Sequence, residues 1–198
     1  MTGRTHLTVG AATALLAAGP GAPLTTLALA AACGAAGATL PDLDVRDTAH
    51  PWRERLARMG AAALLMGAVL FDAANGGAVL RETAAHGLGR LALGAVGLVA
   101  LVCASRLSAH RGFSHSLLAL AGYAAATWLA CPPLAPCLSL GFATHLALDT
   151  LNYRGLRLLW PLPHGFSLGL CKTGGVMDAC CLTGALLAAV LVIGQALT

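Results

Sequence analysis

The chain has 198 residues, 58% hydrophobic and only 10% charged, whereas a soluble domain carries roughly 25% charged residues. It cannot cover itself with a polar surface, and its mean hydropathy of +0.77 points to a bilayer as its solvent. The net charge of +4 is small and no Lys/Arg run is interleaved with aromatics, so no nucleic-acid partner is expected.

The expectation is an all-α, polytopic membrane bundle forming one domain over residues 1–198. Ala, Leu and Gly dominate, and small residues let helix backbones approach closely in lipid. Taken in chain order, an apolar stretch from His6 to Ala18 stops at Gly19-Pro20-Gly21. With Ala28-Leu29-Ala30 as a small-x-small site it also fits a signal peptide. A retained first helix is preferred, because Leu24 to Leu40 is again apolar and the two read as a hairpin with Gly/Pro at its tip. Pro41 ends the second helix, and residues 42–58 are the most polar stretch. A third run spans about Leu56 to Ala74, with Arg81 and Glu82 in the link after it. The fourth goes from about Ala85 to Ser105, the fifth from about Phe113 to Cys131-Pro132-Pro133, and the sixth from about Leu134 to Leu151. Asn152 to Gly175 is a Gly/Pro-rich loop in which Leu156 to Trp160 fits the membrane interface, and Val176 to Leu197 is the seventh run.

Seven spans put the N-terminus and the loops 41–58, 105–112 and 152–175 on one side. All but Arg81 and Arg90 of the 12 Lys and Arg residues fall on that side. The positive-inside rule makes it the cytoplasmic side of a bacterial inner membrane, and it also argues against cleavage after Ala30. Cys131 and Cys137 flank a Pro-rich turn and would bridge if that turn faced an oxidising compartment. The other cysteines read as small buried hydrophobes.

This topology follows from hydropathy and basic residues alone, yet it gathers the ionisable groups on one membrane face. His6 opens the first helix, Asp42 and Asp44 close the second, and His110 and His115 open the fifth. His145 and Asp149 lie in the last turns of the sixth, and Asp178 opens the seventh. Singly, each has an ordinary explanation. A lone histidine near a helix end is usually interfacial, as expected for His50, His86 and His164. An acidic residue after proline terminates a helix, and Ser114 beside His115 reads as an N-cap. Together they are functional candidates, because ionisable groups in or near a membrane are costly.

The spacings fit metal chemistry. His145 and Asp149, at i and i+4, share a helix face. Pro41-Asp42-Leu43-Asp44 is short enough for one or both carboxylates to turn inward. Gly112 lets a helix begin after it, so that His110 and His115 converge. The proposed ligands are His6, Asp42, Asp44, His115, His145 and Asp149, with His110 a ligand or a partner of one, and Asp178 a further candidate ligand on the same face. Mixed imidazole and carboxylate donors suit Zn²⁺, Mn²⁺ or Fe²⁺ rather than Ca²⁺. With so many donors two ions fit better than one, and paired ions activate water against a phosphate ester. Arg111 suits the ester's negative charge, and Asp44 is a candidate proton acceptor.

The order of these elements resembles the LexA-regulated inner-membrane family of metal-dependent hydrolases. The resemblance rests on Thr5-His6 with Gly10, on Gly37-Ala38-Thr39-Leu40-Pro41-Asp42-Leu43-Asp44, and on His110-Arg111-Gly112-Phe113-Ser114-His115-Ser116. It continues through Gly141-Phe142-Ala143-Thr144-His145-Leu146-Ala147-Leu148-Asp149, Gly155 to Pro161, and Thr173-Gly174-Gly175-Val176-Met177-Asp178. That family is distantly similar to zinc-dependent phospholipases C and single-strand nucleases, helical enzymes with His/Asp-held metals including an H-x-x-x-D pair. The resemblance implies phosphoester hydrolysis. The chain departs from it at Asp178, where the family often carries glutamate.

The leading expectation is therefore an integral-membrane hydrolase that uses metal-activated water at the cytoplasmic face on a phospholipid or another membrane-presented phosphate ester. Two alternatives use the same cluster. One is a proton-coupled carrier, which would place its groups near the bilayer midplane. The other is a scaffold with a structural metal, which would leave no open coordination position.

Overall fold

The computed structural model describes residues 1–45 and 51–198, leaving out the side chains of residues 51–58 and 61. Arg46 and His50 thus lie outside the described residues, as do the side chains of Arg53, Arg55 and Arg58.

The described residues form eight α-helices and no strand. They are α1 (Gly3–Ala18), α2 (Leu24–Thr39), α3 (Pro51–Ala74), α4 (Ala78–Ala85), α5 (Leu88–Leu107), α6 (Leu117–Ala130), α7 (Ala135–Thr150) and α8 (Val176–Leu197). The seven expected runs are all helical, and α4 is an additional helix where the sequence suggested only a short link. Asp72, buried, explains it. Its carboxylate accepts from the Leu80 amide at 3.2 Å and the Val79 amide at 3.5 Å, satisfying amides that a new helix leaves unpaired.

The expectation of seven spans is corrected. Among the described residues only α5 and α8 are long and apolar enough to cross a membrane. A third span results if Ala62–Ala74 and Ala78–Ala85, bent by 93° at their junction, act as one. The reason is length. Helices α1, α2 and α7 have 16 residues and α6 has 14. At about 1.5 Å per residue these reach about 21–24 Å, short of a hydrocarbon core of about 30 Å.

The short helices instead form the interior. α1, α2 and α7 pack against one another, α6 joins them through α7, and α3, α5 and α8 lie outside. The seam is glycine. A Cβ on Gly10 would lie 2.6 Å from the Gly34 carbonyl oxygen, and a Cβ on Gly141 would collide with that same carbonyl. Three backbones therefore meet where no side chain fits. Above the seam, Cys33, Tyr123, Phe142 and Leu146 form a buried apolar cluster, and the Tyr123 hydroxyl is paired with Ser105 Oγ at 3.1 Å. The outer helices leave Val96, Val99, Val190 and Leu191 exposed, as a lipid-facing surface would.

In the loop after α7, Leu156 is fully buried, held by reciprocal backbone hydrogen bonds with Phe166 at 2.7–2.8 Å, while Leu159 and Trp160 stay exposed. Cys131 and Cys137 are free thiols.

Candidate metal centre

Four chain segments end at one place. The first turn of α1 brings His6. Pro41, which cannot continue α2, starts a 3-10 turn over Pro41–Asp44 that brings Asp42 and Asp44. The turn before α6 brings His110, Arg111 and His115, and the last turns of α7 bring His145 and Asp149. The cap of α6 is Ser116, which accepts from the Ala119 amide at 3.1 Å, rather than Ser114. A 3-10 turn at Phe113–His115 intervenes, and it frees Ser114 for the cluster.

The donors converge. His115 Nε2 lies 3.6 Å from Asp42 Oδ1 and 4.0 Å from Asp149 Oδ2. His145 Nε2 lies 3.7 Å and 4.0 Å from the same two oxygens. Both nitrogens are buried with no hydrogen-bond partner. Leaving a buried polar atom unpaired costs about 1–3 kcal/mol, so a pair of them aimed at the same two carboxylates calls for a ligand. The tautomer of His145 agrees. His145 Nδ1 donates to the Ala38 carbonyl at 2.7 Å, which can only accept, so Nε2 keeps its lone pair. Tetrahedral donors at roughly 2.0–2.1 Å from a zinc-sized ion stand about 3.3 Å apart. The observed contacts of 3.6–4.0 Å would have to close by about 0.3–0.7 Å, and Asp42, His115 and His145 form a group able to hold a cation.

Asp44 sits behind this convergence. It is buried, and it accepts from the Arg111 amide at 2.9 Å and the Ser114 hydroxyl at 2.6 Å. Its oxygens also face His110 Nδ1 at 3.1 Å and His115 Nδ1 at 3.3 Å. It therefore orients His115 from the ring edge opposite Nε2, as a carboxylate does for a metal-bound imidazole. Burial would raise the Asp44 carboxyl, but the neighbouring His115, Ser114 and His110 hold it down at about 2. Burial would likewise lower the His115 imidazole, but Asp42 and Asp44 beside it hold it up at about 9. A cation arriving at His115 Nε2 must displace that proton.

Arg111 has φ 60°, left-handed backbone that non-glycine residues rarely adopt and that costs of order 1–3 kcal/mol. The twist lets its amide reach Asp44 while its guanidinium reaches Asp149 Oδ2 at 3.0 Å and the Arg154 carbonyl at 2.6 Å. Its Nε is buried and unpaired. His6 Nε2 lies 3.1 Å from Asp149 Oδ1, and its ring stacks on His145 with centroids 3.9 Å apart. His6, His145 and Asp149 form a second group able to hold a cation beside that of Asp42, His115 and His145. The two groups share His145, so they are overlapping rather than separate sites.

The remaining candidates stand apart. Asp178 is buried, but it accepts from the Gly174 amide at 2.8 Å and the Thr2 amide at 3.1 Å, tying α8 to the start of α1. His86 and His164 are exposed. Three contributors were missed. Ser114 was in view but read only as a cap. Asn152 Nδ2, which donates to Asp149 Oδ1 at 2.9 Å, was signalled by its i+3 spacing from Asp149. The Ala38 carbonyl has no side-chain signature at all.

An apolar cavity reaches this centre. It measures about 790 Å³ and is walled by the start of α1, the Pro41–Asp44 turn and the start of α8, with Asp42 in its lining. Of the four convergent donors, Asp42 has the exposed side chain, at 39%.

A family model described as YdjM inner membrane protein matches residues 1–196. No curated protein and no solved structure matches the chain.

Proposed function

Since the chain belongs to the YdjM inner membrane protein family, we propose that it is a membrane-embedded, metal-dependent hydrolase of phosphate esters with its site at the cytoplasmic face. The observation that carries this reading is the pair of buried, unpartnered imidazole nitrogens facing Asp42 and Asp149. Asp42, His115, His145 and Asp149 would hold the cation, with His6 flanking it. Zinc suits two nitrogens and two oxygens, and manganese or iron would also be accepted. A bound divalent cation supplies Lewis acidity, which polarises a phosphoryl oxygen and makes water a nucleophile at neutral pH.

The side chains do the rest. Arg111 offers the unpaired Nε–H to a phosphate oxygen while its other nitrogens stay anchored. His110 is half exposed and its Nδ1 is engaged by Asp44. It can carry a proton at Nε2, with Asp44 fixing its orientation as a triad carboxylate does. Asp44 itself accepts from several donors and is better suited to orientation than to taking the proton directly. Arg4, Arg111 and Arg154 lie beside the cation group, and basic residues at this end of the bundle support a cytoplasmic orientation.

The four-donor set supports a second reading as well. Four protein ligands complete a tetrahedral sphere, as in structural zinc sites. The exposure of Asp42 favours catalysis, because that ligand can yield its place to water or substrate. The test uses detergent-purified protein loaded with zinc or manganese and bis(p-nitrophenyl) phosphate as probe. The reading expects stoichiometric metal and hydrolysis that falls at least a hundredfold in His110→Ala with metal retained. Stoichiometric metal with no hydrolysis by the unaltered protein would support the structural reading instead.

A further inference from the structure

The cavity beside the centre has a chemistry of its own. Leu7 of α1, Ala38 of α2, Leu43 and Val45 after it, and Ala179 and Leu182 of α8 make most of its wall apolar, with Thr2, Thr5 and Thr39 also in the lining. Asp42, the exposed donor of the cation group, lines it as well. One wall belongs to α8, a helix of membrane-spanning length, so the cavity borders the bilayer. Two charged side chains besides Asp42 line it. Asp178 is spent on the Gly174 and Thr2 amides. Arg4 is exposed and makes no ion pair among the described residues. A volume of about 790 Å³ lies within the roughly 300–1,000 Å³ typical of small-ligand sites.

An apolar cleft that joins the lipid to a phosphoester-binding group, with a single unpaired cation in its wall, matches a hydrocarbon chain attached to an anionic head. We propose that this cleft seats an acyl chain of an anionic membrane phospholipid, so that the substrate enters sideways from the bilayer and presents its phosphate at Asp42. This rests on the hydrolase reading for what happens at the phosphate, but not for the binding itself.

The test separates the two. Full-length protein is placed in phosphatidylcholine nanodiscs containing phosphatidylglycerol with a photoactivatable diazirine in its acyl chain, and crosslinked peptides are mapped. Crosslinks in the unaltered protein are expected at residues 3–7, 38–45 and 174–182, above the background on the outer faces of α3, α5 and α8. Ala179→Trp, which fills the cleft, should reduce the cleft crosslinks at least fivefold with metal content unchanged. Val190→Trp, on the exposed face of α8, should not. Arg4→Gln should reduce cleft crosslinking of the phosphatidylglycerol probe but not of a phosphatidylcholine probe. Crosslinks confined to the outer faces, or cleft crosslinks untouched by Ala179→Trp, would overturn the proposal, and the mapping on unaltered protein decides even if that variant misfolds. Cleft crosslinking without turnover would sustain the proposal and sink the hydrolase reading. Turnover without cleft crosslinking would do the reverse.

Discussion

At the scale of single residues, His115 is the pivot. One edge of its ring faces Asp44 and Ser114, and the other aims an unpaired nitrogen at Asp42 and Asp149. Its imidazole is held up at about 9 by the two carboxylates, above the ordinary value near 6.5. Below that pH the ring is protonated and a cation must expel the proton. Apparent affinity should therefore rise with pH, by up to about tenfold per unit, and level off near pH 9. Calorimetry in buffers of different ionisation enthalpy should register proton release on binding at pH 7. Asp44→Asn removes part of the cause, so the plateau should move to lower pH while affinity drops about 10–100-fold. Affinity that is flat between pH 6 and pH 9 would contradict this. The histidines and carboxylates were legible in the sequence because both are scarce and sit at helix ends. The turn at Arg111, the hydroxyl of Ser114 and the carbonyl of Ala38 were not. Their parts depend on backbone direction, which residue type does not encode.

At the scale of elements, the centre is positioned by close backbone approach. Gly10, Gly34 and Gly141 bring α1, α2 and α7 together about one turn from His6, Ala38 and His145. Gly141→Val would drive a side chain into the Gly34 carbonyl. Overpacking of this kind costs typically 1–3 kcal/mol and occasionally more. Thermal unfolding in detergent should show a clear loss of stability, and metal content should fall with it although no ligand was changed. Gly184→Val, where nothing lies within 4 Å, is the control and should leave both unchanged. The runs of helix were readable from hydropathy to within a few residues. Their role was not, because a helix buried among neighbours and a helix facing lipid are equally apolar. Length separates them, and hydropathy merged α1, α2, α6 and α7 with the true spans. The addition of α4 turned on Asp72, a single buried carboxylate inside an apolar run.

At the scale of the whole molecule, short interior helices carry the candidate cation group, and α5 and α8 are the helices long and apolar enough to cross a membrane. Asp178, at the first turn of α8, ties that helix to the end of the bundle bearing the cation group. If α8 crosses the membrane, as its length and hydropathy allow, it carries the chain from that end to the opposite face. If the cation group faces the cytoplasm, alkaline phosphatase joined after Thr198 should be active and green fluorescent protein at the same point dark. The reverse pattern would place the site on the outer face. A cation at the meeting point of four segments is the central claim about this molecule, and anomalous scattering from crystals of zinc-loaded protein tests it most directly. The predicted result is a peak bounded by Asp42 Oδ1, His115 Nε2, His145 Nε2 and Asp149 Oδ2, lost in His145→Ala. Zinc-loaded crystals with no peak among those four atoms would contradict it.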